Sequence, residues 1–340
     1  MKSQQSESIH GPQALSGSDL LNLIGLIAAH GVDRAYMLRL PALFFWSALL
    51  APLYLIEKVL TKVRREVAVH PEPVFIIGHW RSGTTYLHYL LAKDKQFGFC
   101  SNLDAFVPGS VLLTRKFLRW AIRWRLPKTR PCDGLTLSPD DPQEDEFAMM
   151  LLTPFSPYHS FVFPRTASLI PHLETLADDS KDEGWPGRYL LFVQELTWKN
   201  NGKRLLLKNP ANTCRIAKLL EIFPGAKFIY MYRNPQEVKA STHRMLKAML
   251  EINALQAFDG VVSKKNIECV YSQTISGYEK QRNLLNNTNL VEIDYKNLVR
   301  TPLQTIKNIY QALNIAGFEE SKTAFSEFIA QQADHKPAAN

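Results

Sequence analysis

Cysteine is scarce in this chain, and its spacing fits neither a metal site nor a disulfide scaffold. The four residues, Cys100, Cys132, Cys214 and Cys269, lie far apart and form no C-x-x-C pair. We therefore expect free thiols and a reducing compartment. The first twenty residues are polar where a secretory signal needs an apolar stretch, so we expect a cytoplasmic protein.

Tracts dominated by glycine, proline or serine are also absent. The composition, 46% hydrophobic and 21% charged over 340 residues, excludes a disordered chain and a collagen-like repeat. We find no internal repeat, and the length suits two domains or one elaborated α/β domain.

Acidic residues are missing from residues 115–130, where the positive excess lies. The formal net charge is +8, and without the seven basic residues of this stretch it would be +1. They are Arg115, Lys116, Arg119, Arg123, Arg125, Lys128 and Arg130. Arginines and aromatics fall on neighbouring rows of a predicted helix over 115–125. This pattern suits an anionic membrane or a phosphorylated ligand better than nucleic acid, although a solvated helix face is its commoner use.

Long apolar runs are limited to residues 40–56 (LPALFFWSALLAPLYLI), which carry no charge. Seventeen residues is the short limit for a membrane span, and Pro41 and Pro52 interrupt the run. We expect a helix hairpin packed on the core or a segment at the membrane interface, with a true span as the alternative. The sequence HPEP at 70–73 then divides a helical N-terminal region, residues 1–70, from an α/β domain, residues 71–340.

Short apolar runs after this boundary predict a parallel sheet. Three of them read as buried strands, at residues 74–77, 204–207 and 227–232. A helix predicted over 211–223 joins the last two and completes a βαβ unit. A further strand at 291–295 precedes a helix from Pro302 to about Leu313. The prediction is a three-layer α/β fold with a central parallel sheet.

A glycine-rich turn, residues 78–85 (GHWRSGTT), follows the first strand and opens a helix. Gly78 and Gly83 permit a tight turn, so that backbone N–H groups point at an anion on the helix N-terminus. Three hydroxyls add donors, those of Ser82, Thr84 and Thr85. This is P-loop-like architecture without the Walker A lysine, because Thr-Thr follows Gly83. We expect Arg81 to take over that charge and no metal to be required.

A second constellation, residues 227–241 (KFIYMYRNPQEVKAS), ends a strand at Arg233 and begins a helix after Asn234-Pro235. Open α/β sheets bind ligands at this edge, and an arginine there can bind a phosphate bidentately with Ser241 as a further donor. A structural ion pair is the alternative for Arg233.

These residues resemble the sulfotransferases that use 3′-phosphoadenosine 5′-phosphosulfate (PAPS). The resemblance implies that Arg81-Ser82-Gly83-Thr84-Thr85 bind the 5′-phosphosulfate and that Arg233 and Ser241 bind the 3′-phosphate. It covers roughly residues 70–315 and looks like a bacterial type. The motifs that suggest this type are GHWRSGTT at 78–85, PQEDEF at 142–147, LKNP at 207–210 and Y-x-x-L-V-x-x-P at 295–302.

The general base is not implied by the resemblance. Cytosolic members carry a catalytic His two residues after the counterpart of Lys208, where this chain has Pro210. Acidic residues 144–146 (EDE) offer the base, with Glu144 ahead of Glu146. Against this, Asp141, Pro142 and Glu144 have the spacing of a capping box. His159 and His243 are alternates, and Lys208 either contacts the sulfate or caps the sheet.

The sequence therefore predicts a PAPS-dependent sulfotransferase. Arg81, Glu144, Glu146 and Lys208 are its predicted catalytic residues, and its acceptor is a hydroxyl or amine on a small molecule or lipid. A peripheral contact with an anionic membrane is a further expectation. Two alternatives remain open at this point, namely a P-loop kinase or NTPase that needs Mg²⁺, and a membrane-binding module without chemistry.

Overall fold

A five-stranded parallel sheet forms the centre of the structure, a computed structural model that describes residues 15, 18–62, 67–108, 118–120, 138–167, 169 and 184–333. The strands are β1 (Val74–Gly78), β2 (Phe97–Phe99), β3 (Arg204–Lys208), β4 (Lys227–Tyr232) and β5 (Leu290–Asp294). Their order is β2-β3-β1-β4-β5, and every pair is parallel. The predicted α/β fold with a central parallel sheet is confirmed.

Helices surround this sheet. Those that follow β1 are α3 (Thr84–Leu91), α4 (Asn102–Phe106), α5 (Glu146–Leu152), α6 (Trp185–Lys199), α7 (Ile216–Ile222), α8 (Pro235–Asn253), α9 (Lys264–Gln281), α10 (Tyr295–Arg300), α11 (Pro302–Ala312) and α12 (Phe318–Ala333). Short 3₁₀ helices occupy Pro157–Phe161, Pro210–Cys214 and Arg282–Leu284.

Alternate residues of each strand face opposite layers, which explains why the strands are continuously apolar. Phe75 and Ile77 of β1 pack into one core with residues of α6 and α7. Val74 and Ile76 pack into a second core with residues of α3, α11 and α12. The three predicted layers are therefore present, with the sheet in the middle.

The predicted helix over 211–223 is interrupted. A 3₁₀ helix begins with Pro210 and ends at Cys214, and α7 starts only at Ile216. Arg215 lies between them with an extended φ of −122° and a fully buried side chain. The interruption directs the Arg215 guanidinium into the protein interior, where it forms an ion pair with an acidic side chain.

The N-terminal helices, α1 (Leu20–His30) and α2 (Leu40–Lys62), flank a 3₁₀ helix at Arg34–Arg39. α2 runs through Pro52, so the predicted hairpin within residues 40–56 is wrong. Leu23 and Leu43 share a core with Trp80 and Tyr158. Residues 1–70 as a separate region stay a prediction, and most of the basic stretch 115–130 lies outside the described residues.

Candidate active site

The backbone of the glycine-rich turn adopts conformations that favour glycine at two of its positions. Gly78 and Gly83 have φ of +134° and +98°, a region that side chains disfavour. A Cβ on Gly78 would lie 2.3 Å from the carbonyl oxygen of Met231, and one on Gly83 would lie 2.3 Å from the Tyr295 ring. Arg81 also has a positive φ, 68°, which turns its side chain out of the run.

Donors at the start of α3 remain available for a ligand. Gly83 is the N-cap of this helix and makes no side-chain capping bond. The Ser82 hydroxyl is buried and has no hydrogen-bond partner within the described part of the chain. A buried hydroxyl of this kind beside a helix N-terminus fits an oxyanion ligand, because the anion would satisfy it.

Arg81 and Ser241 come together from distant parts of the chain. The Nε of Arg81 donates a hydrogen bond of 2.9 Å to the Ser241 hydroxyl on α8. Asn234 caps α8 through the backbone N–H groups of residues 236 and 237, and Pro235 occupies the first turn. This cap aims the second turn of α8, with Ser241, at the glycine-rich turn.

Arg233 lies at the end of β4, as the sequence predicts. Its guanidinium forms an ion pair of 2.6 Å with Glu237, one turn along α8, and stacks 4.4 Å above the Tyr295 ring. The ion pair predicted as the alternative for Arg233 is thus present. It is half exposed, so an incoming phosphate can compete for the same guanidinium.

Tyr295 is a site residue that the sequence reasoning did not single out. Its ring contacts Gly83 on one side and Arg233 on the other, at the start of α10 directly after β5. The sequence did contain a signal for Tyr295, because the Y-x-x-L-V-x-x-P element begins with this tyrosine.

Glu144 lies beside the glycine-rich turn. Lys208 donates to one of its carboxylate oxygens and Tyr158 to the other. The Lys208 ammonium also donates to the hydroxyl of Thr85, at 3.3 Å. The Trp80 indole, within the turn, donates to the Tyr158 hydroxyl at 3.0 Å. Two short chains of contacts therefore join the turn to this carboxylate.

The alternative use of Glu144 in a capping box is wrong. α5 begins at Glu146, with Asp145 rather than Asp141 at the cap. Asp141 instead accepts a bond of 2.7 Å from the backbone of Ser138. Glu144 is consequently free of a capping role.

Glu146 has a different environment from Glu144. It is fully buried and accepts bonds from Arg215, Asn209 and Ser156 at 2.6 to 2.7 Å. Burial alone would raise the pKa of Glu146, but the Arg215 guanidinium and these hydrogen bonds outweigh it and lower the pKa. This arrangement argues against Glu146 as a base, because the Arg215 guanidinium and the hydrogen bonds reduce its affinity for a proton.

Asp145, the remaining acid of the run, accepts a hydrogen bond from the Tyr189 hydroxyl. Burial raises the pKa of Asp145 to about 7, against the opposing effect of that hydrogen bond. Three consecutive acids thus point to three separate places, and of these only Glu144 adjoins the glycine-rich turn through Lys208 and Tyr158.

The histidines offered as alternates have other environments. His159 is buried, and its Nε2 lies 2.8 Å from the Met150 carbonyl oxygen. His243 is exposed on α8. His79, inside the turn, has its pKa lowered to about 4 by burial, so it is neutral at ordinary pH. Within the described residues, no group of three His, Cys, Asp or Glu side chains could hold a metal ion.

Comparison with known proteins identifies the family of this chain and supports its fold. The profile described as "Sulfotransferase family" matches residues 73–320. Omega-hydroxy-beta-dihydromenaquinone-9 sulfotransferase Stf3 of Mycobacterium bovis, and that of Mycobacterium tuberculosis, are 33% identical over 278 residues, which is 80% of this chain and 70% of theirs.

Two crystal structures share the fold. Sulfotransferase STF1 of M. tuberculosis has a TM-score of 0.66 at 18% identity, over 92% of this chain and 88% of its own. Sulfotransferase STF9 of Mycobacterium avium has a TM-score of 0.69 at 17% identity, over 94% and 88%. At these identities they support the P-loop-like α/β fold alone.

Proposed function

The chain belongs to the sulfotransferase family and is a sulfotransferase enzyme, and on that basis we propose PAPS as its donor and a lipid-like alcohol as its acceptor. The contact between Arg81 and Ser241 carries the first part of this proposal. It brings the two motifs that would bind the two ends of PAPS to within one hydrogen bond of each other.

The donor site comprises residues 78–85 with Arg233 and Ser241. Its loop residues, Arg81, Ser82, Gly83, Thr84 and Thr85, would hold the 5′-phosphosulfate. The unpartnered Ser82 hydroxyl and the N-terminus of α3 fit that anion. Arg233 and Ser241 would hold the 3′-phosphate, with Arg233 leaving Glu237 for the stronger, doubly charged partner.

PAPS, when bound, supplies a sulfuryl group on its 5′-phosphate. Glu144 removes the proton of the acceptor hydroxyl, whose oxygen forms the new bond to sulfur while the bond to the 5′-phosphate breaks. Arg81 and Lys208 stabilise the negative charge that develops at the loop. Preorganised donors of this kind are typically worth about 3 to 4 kcal/mol each. Lys208 contacts both Thr85 and Glu144, so one ammonium serves both sides of the reaction.

The acceptor side is aromatic and apolar. Tyr158, which contacts Glu144, packs against Phe147 and Phe161 with ring centroids 5.0 and 4.9 Å apart. Phe161 also lines an apolar pocket with residues that include Leu246 and Val270. Glu144 beside these buried aromatic and apolar side chains suits an alcohol on a hydrocarbon chain as acceptor. The Stf3 relatives act on a hydroxylated menaquinone, which is such an alcohol.

An acceptor of this class would lie in a bilayer. We therefore place the working enzyme at the cytoplasmic surface of a membrane, with no metal and no nucleic acid in its reaction. The kinase and NTPase alternative is not supported, because Thr84-Thr85 stand where a Walker A lysine is required and the family is one of sulfotransferases.

Calorimetry tests the donor assignment. We expect wild type to bind 3′,5′-ADP more tightly than ATP with Mg²⁺. Arg233→Ala should weaken 3′,5′-ADP binding by roughly tenfold or more, because a charge-assisted contact is lost. Arg244→Ala, exposed on α8, is the matched control and should bind as wild type. Equal affinity of Arg233→Ala and wild type, or preference for ATP with Mg²⁺, would overturn the assignment.

Turnover tests the acceptor. Labelled PAPS with a hydroxylated isoprenoid in detergent should yield a sulfated lipid, whereas a monosaccharide should remain unlabelled. Labelling of the sugar and not of the isoprenoid would contradict a lipid-like acceptor.

A further inference from the structure

Among the side chains of α2 that the structure describes, none on the exposed face is polar. Phe45, Leu49 and Leu55 recur at helical spacing on this face and are 62%, 52% and 66% exposed. The other described residues of the same face are also apolar, namely Pro41, Ala48, Pro52, Ile56 and Val59. A helix on the surface of a protein in water ordinarily carries charged and polar residues there.

The buried face of α2 is no more apolar than its exposed face. Leu43, Ser47 and Leu50 form this face, and Ser47, a polar residue, is fully buried. The preceding 3₁₀ helix adds Leu38, which is 93% exposed. α1 packs against α2, and its exposed residues are apolar as well, including Leu21 and Ile24.

These exposed apolar side chains, concentrated on α1, the 3₁₀ helix and α2, make up an apolar patch. Of the fourteen large hydrophobic residues with high exposure in the described part of the chain, nine lie between residues 21 and 59. Apolar surface concentrated in this way marks a contact with a partner or a membrane.

The described part of the basic stretch 115–130, residues 118–120, contacts α2, the helix that carries most of this patch. Leu118, in its short described segment, packs with Leu50 of α2 and with Leu103. Trp120 beside it is 61% exposed. The stretch carries seven basic residues and no acidic one. An apolar face beside an exposed tryptophan, in a chain whose positive excess lies in the same stretch of sequence, is complementary to an anionic bilayer, whose head groups are negative and whose interior is apolar.

From these observations we infer that α1, the Arg34–Arg39 turn and α2 dock on an anionic membrane surface through this apolar face. This rests on the proposed lipid acceptor and names the surface by which the enzyme would reach it. The opposite faces of the same helices share a core with Trp80 and Tyr158, which lead to Glu144. The apolar docking face and the proposed base, Glu144, therefore lie on opposite sides of the core that these helices share with Trp80 and Tyr158.

Vesicle flotation tests the inference with the full chain. The probes are vesicles of phosphatidylcholine alone and of phosphatidylcholine with 30% phosphatidylglycerol, an amount of roughly physiological order. We expect wild type to float with the anionic vesicles, less with the neutral ones, and less again in high salt. Phe45→Gln/Leu49→Gln/Leu55→Gln should lower the partition coefficient by roughly tenfold or more, since three apolar side chains no longer leave water.

Leu284→Gln/Val299→Gln is the matched control, because these residues are 54% and 53% exposed but lie outside the patch. It should bind vesicles as wild type does. Both variants should keep wild-type 3′,5′-ADP affinity, which separates this test from that of the donor site. Vesicle binding by the triple variant equal to wild type would overturn the inference. A stable dimer by light scattering that the triple variant dissociates, without vesicle binding by wild type, would overturn it in favour of a second copy.

Discussion

The donor site and the acidic residues 144–146 are neighbours, yet their polar groups are satisfied in opposite ways. In the donor site the buried Ser82 hydroxyl has no partner in the described part of the chain, and Arg233 holds its acidic partner at the surface. In the acidic run every carboxylate already accepts a bond from a buried donor. A site for an external anion keeps donors available, whereas charges that the fold itself requires are matched internally.

This contrast separates Glu144 from Glu146. Glu146 neutralises Arg215 inside the core, as a structural charge does. Glu144 is bound by Lys208 and Tyr158, both of which also contact residues of the glycine-rich turn. Glu144 therefore belongs to both regions, and a change at it that keeps a partner for the buried Lys208 should affect turnover more than folding.

The largest expected effect is that of Glu144→Gln on turnover. Gln keeps the shape, and its carbonyl oxygen can accept from Lys208 while its NH₂ group donates to the Tyr158 hydroxyl, but it cannot take a proton. We expect kcat to fall by about 10² to 10⁴ with PAPS as donor. Titration with 3′,5′-ADP should give the wild-type affinity. Full turnover in this variant would remove Glu144 as the base and weaken the contrast between the two acids.

Glu146→Ala should instead act on stability. It leaves the fully buried Arg215 without its ionic partner, which typically costs about 3 to 5 kcal/mol of unfolding free energy. Urea denaturation measures the loss. Glu319→Ala, in the exposed pair with Lys322, is the control and should cost less than about 1 kcal/mol. Equal losses in the two variants would show that Glu146 is not the structural charge inferred here.

Gly83→Ala tests the donor side. The added Cβ meets the Tyr295 ring and the backbone keeps a positive φ, so strain of about 1 to 3 kcal/mol is expected. Affinity for 3′,5′-ADP should fall about tenfold. Gly187→Ala, where nothing lies within 4 Å of the new atom, should leave it unchanged. If both variants bind alike, the loop is not the donor cradle.

The smallest expected effect concerns Asp145 and pH. Burial raises its pKa in the folded protein to about 7, so between about pH 4 and 7 the folded state binds more protons than the unfolded state. The unfolding free energy therefore loses this contribution as pH rises through that range. Asp145→Asn removes the titration, and its stability relative to wild type should rise by about 1 to 2 kcal/mol from pH 5 to pH 7. A pH-independent difference in urea denaturation would contradict the raised pKa.

Much of the geometry of the proposed donor site follows from the sequence, because local rules govern it. Strand ends, glycine positions and the Asn234-Pro235 cap are encoded within a few residues of Arg81 and Arg233. The roles of the acidic residues 144–146 could not be predicted in the same way. Whether Glu144 or Glu146 faces the turn depends on Lys208 and Arg215, which lie more than sixty residues away. The broken helix at Arg215 has the same origin, since a buried ion pair overrides helical periodicity there.

Tyr295 has a consequence for the order in which the protein acquires its activity. Its ring completes the cradle from the last strand of the sheet, some two hundred residues after Gly83. A polypeptide still emerging from the ribosome would already have its loop and Arg233, but not the aromatic platform between them. The proposed nucleotide pocket is therefore complete only after synthesis has passed Tyr295, so ligand capture follows the folding of the loop.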